Sequence, residues 1–125
     1  MHLDKDYIEG YRMSVRKAID KGRCQIAPRA KNKNFVADFV ITEDDEWDII
    51  RGLTSMDFSY AELNDHKGRE YETVFIFGKD IKLLERLGDQ ERTVSLYIKF
   101  NKTSDPYLFV ISFHEQEYPL SYYFK

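Results

Sequence analysis

The 125-residue chain, 42% hydrophobic and 15% aromatic with no low-complexity tract, is sized for one folded domain around a single core (1–125), not for a disordered segment. Its net charge of −3 speaks against a nucleic-acid binder by total, and a lone Cys24 excludes an internal disulfide or a cysteine-rich metal site. No apolar run approaches the ~20 residues a membrane helix requires, and Met1-His2-Leu3-Asp4-Lys5-Asp6 carries no signal-peptide pattern, so a cytoplasmic chain with no membrane partner is expected. The charges are unevenly spread: residues 1–34 sum to +5, residues 35–72 to −8, and the remainder balances. A basic first third can hold a polyanion locally, while the acidic middle repels one or meets a basic partner. Solvated helix faces account for most of these charges.

Residues 4–21 form an amphipathic helix on the 3.6 period, with Tyr7, Ile8, Tyr11, Val15, Ala18 and Ile19 on one stripe. Asp4 and Asp6 suit its N-terminus, Lys21 its C-terminus and Gly22 a left-handed cap. Arg23 to Pro28 is short and extended, because the residue before a proline avoids the helical region. Arg29-Ala30-Lys31-Asn32-Lys33 is a basic turn or short helix in which Arg29 and Lys31 are candidate phosphate contacts, or simply a solvated loop. Phe35 to Phe39 continues that helix or forms a loop; the pattern does not decide. Thr42-Glu43-Asp44-Asp45 is a cap with carboxylates in the first turn, opening a helix that buries Trp47, Ile50 and Leu53 and stops near Gly52. The Glu43 to Asp48 carboxylates could suggest a metal, but complementarity to the helix dipole explains them without one.

After a second capped turn at Thr54 to Phe58 the pattern turns to strands: Ser59 to Leu63, then the turn Asn64-Asp65-His66-Lys67-Gly68, then Glu72 to Phe77. Gly78-Lys79-Asp80 reads as an interruption, and Ile81 to Leu87 as an extended continuation. Thr93 to Asn101 and Tyr107 to Glu115 form a hairpin across Asp105-Pro106. Val94, Leu96, Ile98 and Phe100 alternate with Ser95, Tyr97 and Lys99, giving one buried and one open face. The final strand is apolar on both sides and belongs inside the sheet. With Phe109, Ile111 and Phe113 toward the core, Tyr97, Lys99, Ser112 and His114 share the open face, subject to register. The aromatic tail through Tyr122-Tyr123-Phe124 packs back as an edge strand or stays exposed for a partner. The sum is an α+β domain, helical over about 1–58 and sheet over about 59–125.

The histidines His2, His66 and His114 have no metal-ligand spacing, and no Gly-rich phosphate loop is present. Ser112 near His114 is not read as a nucleophile and base. What remains is acid–base chemistry by His114 beside Tyr97 and Lys99, a set that suits metal-free RNA cleavage.

Five pieces fall in order over residues 15–115: Val15-Arg16-Lys17-Ala18-Ile19-Asp20-Lys21-Gly22; Ile49-Ile50-Arg51-Gly52-Leu53-Thr54-Ser55-Met56-Asp57-Phe58; Asp65-His66; Leu96-Tyr97-Ile98-Lys99; and Val110-Ile111-Ser112-Phe113-His114-Glu115. In these the chain resembles the MqsR family of bacterial toxins. The resemblance implies a RelE-like fold, N-terminal helices packed on a twisted antiparallel sheet. It also implies the toxin of a type II toxin-antitoxin system, a metal-independent endoribonuclease (mRNA interferase) that cleaves single-stranded mRNA, uses no cofactor and is silenced by a cognate antitoxin. The family's tyrosine falls on Tyr97, its last-strand lysine on His114, a glutamine near Glu72 and a lysine near Tyr60. A histidine in place of lysine is a better acid or base near neutral pH. The expected set is therefore His114, Tyr97 and Glu72 for catalysis, with Lys99, Tyr60, Arg29 and Lys31 holding substrate and no metal. A second reading is a non-catalytic protein-binding module on the same fold that grips a protein with its acidic middle and aromatic tail. Residues 79–91 and the aromatic tail have no counterpart in the family.

Overall fold

Asp4 opens the first helix by accepting the Tyr7 N–H at 2.8 Å, and α1 (Lys5–Asp20) buries Ile8, Val15, Ala18 and Ile19 along the expected stripe. Tyr11 completes that stripe with its ring 4.1 Å from Phe75, and its hydroxyl accepts the Lys102 N–H. Tyr7, expected on the same stripe, stays mostly exposed. The computed structural model describes residues 3–63, 67–68, 72–88, 90–102 and 107–125. His2, most of the turn around His66 and the Asp105-Pro106 loop lie outside the described residues.

Gly22 takes the left-handed conformation (φ +69°) that a side chain would resist, and the chain leaves α1 as β1 (Cys24–Ile26). The undecided stretch is helical: α2 (Ala30–Asp38) turns Asn32 and Phe35 inward. A reciprocal capping box between Thr42 and Asp45 starts α3 (Glu43–Arg51), Gly52 caps it, and Ile50 and Leu53 are buried. A short 3₁₀ turn (Ser55–Asp57) then leads to β2 (Phe58–Leu63), β3 (Thr73–Leu84), β4 (Glu91–Lys102) and β5 (Leu108–Glu115). No helix among the described residues is long and apolar enough to cross a membrane.

The strands form one five-stranded sheet in the order β1-β5-β4-β3-β2. The fold is α+β as expected, but the sheet is mixed. β1 runs parallel to β5, pairing Cys24 with Leu108 and Ile26 with Val110, whereas the other three pairings are antiparallel. This small strand falls in the Arg23 to Pro28 stretch expected to be extended, although within the coarsely helical part of the chain; it places β5 inside the sheet and pairs backbone groups on its outer edge. The expected break at Gly78 is also absent. β3 passes through it unbroken because β4 is equally long and pairs Gly78 with Tyr97.

Side chains from the helices and one sheet face make a single core, including Ile8, Val15, Phe35, Ile50, Phe58, Phe77, Leu96, Ile98, Phe100 and Phe113. In β5 the inward set differs from expectation: Leu108, Val110 and Phe113 are buried, whereas Phe109 and Ile111 are only partly so. The cause is a β-bulge. Lys99 pairs with Ser112 but Phe100 pairs with Val110, so Ile111 is an extra residue and the in–out phase switches there.

The tail does not add an edge strand. From Gln116 it runs irregularly over the open face at Gly78 to the β2 edge, where Tyr123 N–H donates to Phe58 O at 3.0 Å and Ser59 Oγ donates to Ser121 O. A Cβ on Gly78 would meet the Tyr122 hydroxyl and lie 2.9 Å from Leu120 Cδ1 and 3.0 Å from Gln116 Nε2, so a side chain there would push the tail's side chains aside.

Glu46, on the inner side of α3, is 5% exposed, and burial, aided by the charges of Glu43 and Asp45, lifts its carboxyl to about 7. An acid raised above its unfolded value of 4.5 adds stability that is fully present below that value and lost as pH rises through about 7. Glu46→Gln is therefore expected to match the wild-type Tm near pH 4 and exceed it above pH 7.5. Thermal melts showing parallel pH profiles for the two proteins would contradict this.

Candidate active-site cleft

Opposed residues of antiparallel strands point to the same face, so the register alone gathers the open-face side chains. One row across the sheet is Gly78, Tyr97 and His114. The next, Tyr60, Ile76, Lys99 and Ser112, brings the polar side chains of Tyr60, Lys99 and Ser112 together. These side chains floor a cleft of about 380 Å³, walled by Arg29 and Lys31 at the start of α2 and by Glu117 to Leu120 of the tail, the two walls meeting at the Lys31–Glu117 ion pair. Six of the seven residues expected in the site therefore line one cavity: His114, Tyr97, Lys99, Tyr60, Arg29 and Lys31.

The His114 ring stacks nearly parallel on Tyr97, with centroids 5.4 Å apart at 16°. Its Nδ1 lies 2.9 Å from Glu115 O. A carbonyl can only accept, so Nδ1 carries the proton and Nε2 of the neutral ring holds the basic lone pair. The Tyr97 phenol is held well above its ordinary pKa, chiefly by burial and then by a hydrogen bond with Tyr60 and the charges of Tyr60 and Glu62. It therefore remains a neutral hydrogen-bond donor across the physiological range. Lys99, with its side chain only 17% exposed, pairs with Glu62 at 3.3 Å. Arg29 Nη1 donates to Ser112 Oγ at 3.5 Å, and Lys31 pairs with Glu117, holding that carboxyl below its usual value.

Glu72 is not among the cleft residues. It precedes Thr73 at the far end of β3, where it accepts a hydrogen bond from Asn101 Nδ2. It lies six positions from Gly78, the partner of Tyr97, which is about 20 Å along a strand. The carboxylate that reaches Lys99 is Glu62. Its signal was in the sequence, since it follows Tyr60 by two positions and alternation puts both on one face. Glu117, Tyr118 and the rest of the tail wall had no such signal.

Among the described residues no three His, Cys, Asp or Glu side chains converge as metal ligands. The acidic run at α3 is divided instead: Asp45 closes the capping box, Asp48 pairs with Arg51 at 2.7 Å, Glu43 accepts from Trp47 Nε1, and Glu46 is buried.

β5 is held in its bulged course by one amide. β1 ends opposite Val110, and beyond it the buried Asn32 donates from Nδ2 to Ala27 O (2.9 Å) and Ile111 O (3.0 Å) and accepts the Phe113 N–H on Oδ1 (2.8 Å). The side chain takes over the work of a neighbouring strand on both sides of Ser112. Asn32→Ala leaves three backbone groups to find water, so urea unfolding is expected to report a loss of about 2–4 kcal/mol. Amide exchange should at the same time quicken at Phe113, and unchanged exchange there would contradict the assigned role.

Comparison with family models, with curated proteins and with solved structures finds no match.

Proposed function

We propose that this cleft is the reaction centre of a metal-independent ribonuclease. More particularly, we propose that the chain is an MqsR-like toxin with a RelE-like arrangement, acting on single-stranded mRNA and restrained by a cognate antitoxin. The observation that carries this reading is His114, half-buried, stacked flat on Tyr97 with Nδ1 tied down and Nε2 left basic, beside Arg29, Lys31 and Lys99 in one cavity. The order of helices and strands and the family-like residues of the sequence support the narrower assignment.

In the proposed reaction a phosphodiester sits on the open face with its non-bridging oxygens toward Arg29 and Lys99. His114 Nε2 takes the 2′-hydroxyl proton, and that oxygen attacks phosphorus. The bond to the 5′-oxygen breaks, and the leaving oxygen takes a proton from the imidazolium or from water. The products are a 2′,3′-cyclic phosphate and a 5′-hydroxyl. Tyr97, kept neutral by burial, donates a hydrogen bond to the phosphate and does not transfer its proton. The cations stabilise charge that grows on the phosphate. Phosphate must first compete with Glu62 for Lys99, an exchange that substrate binding would drive.

One observation favours the rival, a protein-binding module: two cleft cations already have internal partners, Lys31 with Glu117 and Lys99 with Glu62. Expression separates the two readings. A toxin arrests growth and its His114→Ala variant does not, whereas an adaptor is indifferent to that change.

The purified protein is expected to cleave single-stranded RNA in EDTA. His114→Ala should lower the rate by a factor of about 10² to 10⁴ while leaving circular dichroism and Tm unchanged. RNA left whole by the wild-type protein, with EDTA or with Mg²⁺, would remove the assignment.

A further inference from the structure

The segment from Pro28 to Lys33 borders two cavities. Arg29 and Lys31 face the His114 cleft, whereas Pro28, Asn32 and Lys33 line a second cavity of about 360 Å³ that reaches to the first turn of α3. Ile26, Pro28, Val36 and Ile41 give it an aliphatic stretch beside its charged groups, and no aromatic ring lines it among the described residues. Asn32 offers it no free polar group, because its amide is spent on Ala27, Ile111 and Phe113.

Glu46 lines this cavity, and the residue is only 5% exposed. Among the described residues its carboxyl has no hydrogen-bond or ion-pair partner, and no unpartnered buried side-chain oxygen is fully sealed from solvent. The carboxyl oxygens must therefore open on the cavity. Lys33 and Arg86 also border the space but do not pair with Glu46, and Arg86 Nε is committed to Val36 O at 2.8 Å. A carboxylate left unpaired among apolar side chains is costly, and a bound cation relieves that cost.

We infer that this second cavity binds a primary alkylammonium group, its hydrocarbon stem lying along Pro28, Val36 and Ile41 and its –NH₃⁺ on the Glu46 carboxylate. A guanidinium or a nucleobase would favour an aromatic platform, which the lining lacks. A carboxylate ligand would meet Glu46 and Glu43. The same chemistry can come from a free alkylamine or from a lysine of a partner chain, and the test separates them. The inference is independent of the ribonuclease reading.

The groups that set the charge around Glu46 are Glu43 and Asp45 on its own helix, Lys33 on α2 and Arg86 after β3. Glu46 ionises only as pH rises through about 7, while an alkylammonium stays protonated well above that. Affinity should therefore rise about tenfold from pH 6 to pH 8.

The test is a ¹H–¹⁵N titration of the full chain with n-butylamine and with Nα-acetyl-lysine N-methylamide, against n-butanol and butyrate. Butylamine is expected to shift amides in the first turn of α3 and at Val36 and Ile41, more tightly at pH 8 than at pH 6. Glu46→Gln should keep the fold and lose the shifts, whereas His114→Ala should retain them. Equal or tighter binding of the lysine amide assigns the site to a partner's lysine, and binding of butylamine alone assigns it to a free amine. Absence of any shift, equal shifts from n-butanol or butyrate, or binding undiminished in Glu46→Gln would overturn the inference.

Discussion

One extra residue in β5 decides which side chains the sheet offers to solvent. Leu108, Val110, Ser112 and His114 share the same parity along the strand, and a regular strand would send all four to one face. The first two are in the core, so without the bulge at Ile111 the imidazole would point into apolar packing. The bulge has a physical guarantor in Asn32, whose amide pairs with the backbone on either side of Ser112 where β1 has run out. A buried amide with its hydrogen bonds satisfied is a strong local constraint, because moving β5 would cost it the bonds to Ile111 and Phe113.

The cleft is thus made by backbone geometry first and by charge second. Cross-strand register stacks His114 on Tyr97 and sets Lys99 beside Ser112. The start of α2 then contributes Arg29, its N-cap, and Lys31, and the tail contributes Glu117 and Tyr118. Gly78 is part of this construction, since a side chain there would crowd Tyr122, Leu120 and Gln116 of the tail. The tail in turn returns to the core at Phe58 through Tyr123 and Phe124. Cleft wall and core are therefore coupled through the last ten residues of the chain.

Periodicity made much of this legible before any coordinates. The α1 stripe, the capping box of α3 and the alternation of β4 each report a local environment, and each stands as read apart from the exposure of Tyr7. The shared face of Tyr97, Lys99, Ser112 and His114 is also readable from alternation, whereas the inward phase of Leu108 and Val110 is not, because it lies before the bulge. The rest depends on contacts between distant segments. Three residues of β1 carry no pattern strong enough to specify a parallel partner, and a bulge has no local signature in an apolar strand. Gly78 looked like a break because the tail that needs it lies some forty residues later. Glu72 entered the site through family resemblance alone, whereas strand alternation pointed to Glu62.

The state of the His114 ring tests the account most directly, through long-range ¹H–¹⁵N correlation spectra of the imidazole with and without a non-cleavable 2′-deoxy dinucleotide. The account predicts a ring that carries a proton on Nδ1, nuclear Overhauser contacts to Tyr97, and an Nε2 resonance that moves when the dinucleotide binds. A ring protonated on Nε2 alone, or one whose contacts run to Leu108 and Val110 instead of Tyr97, would contradict it.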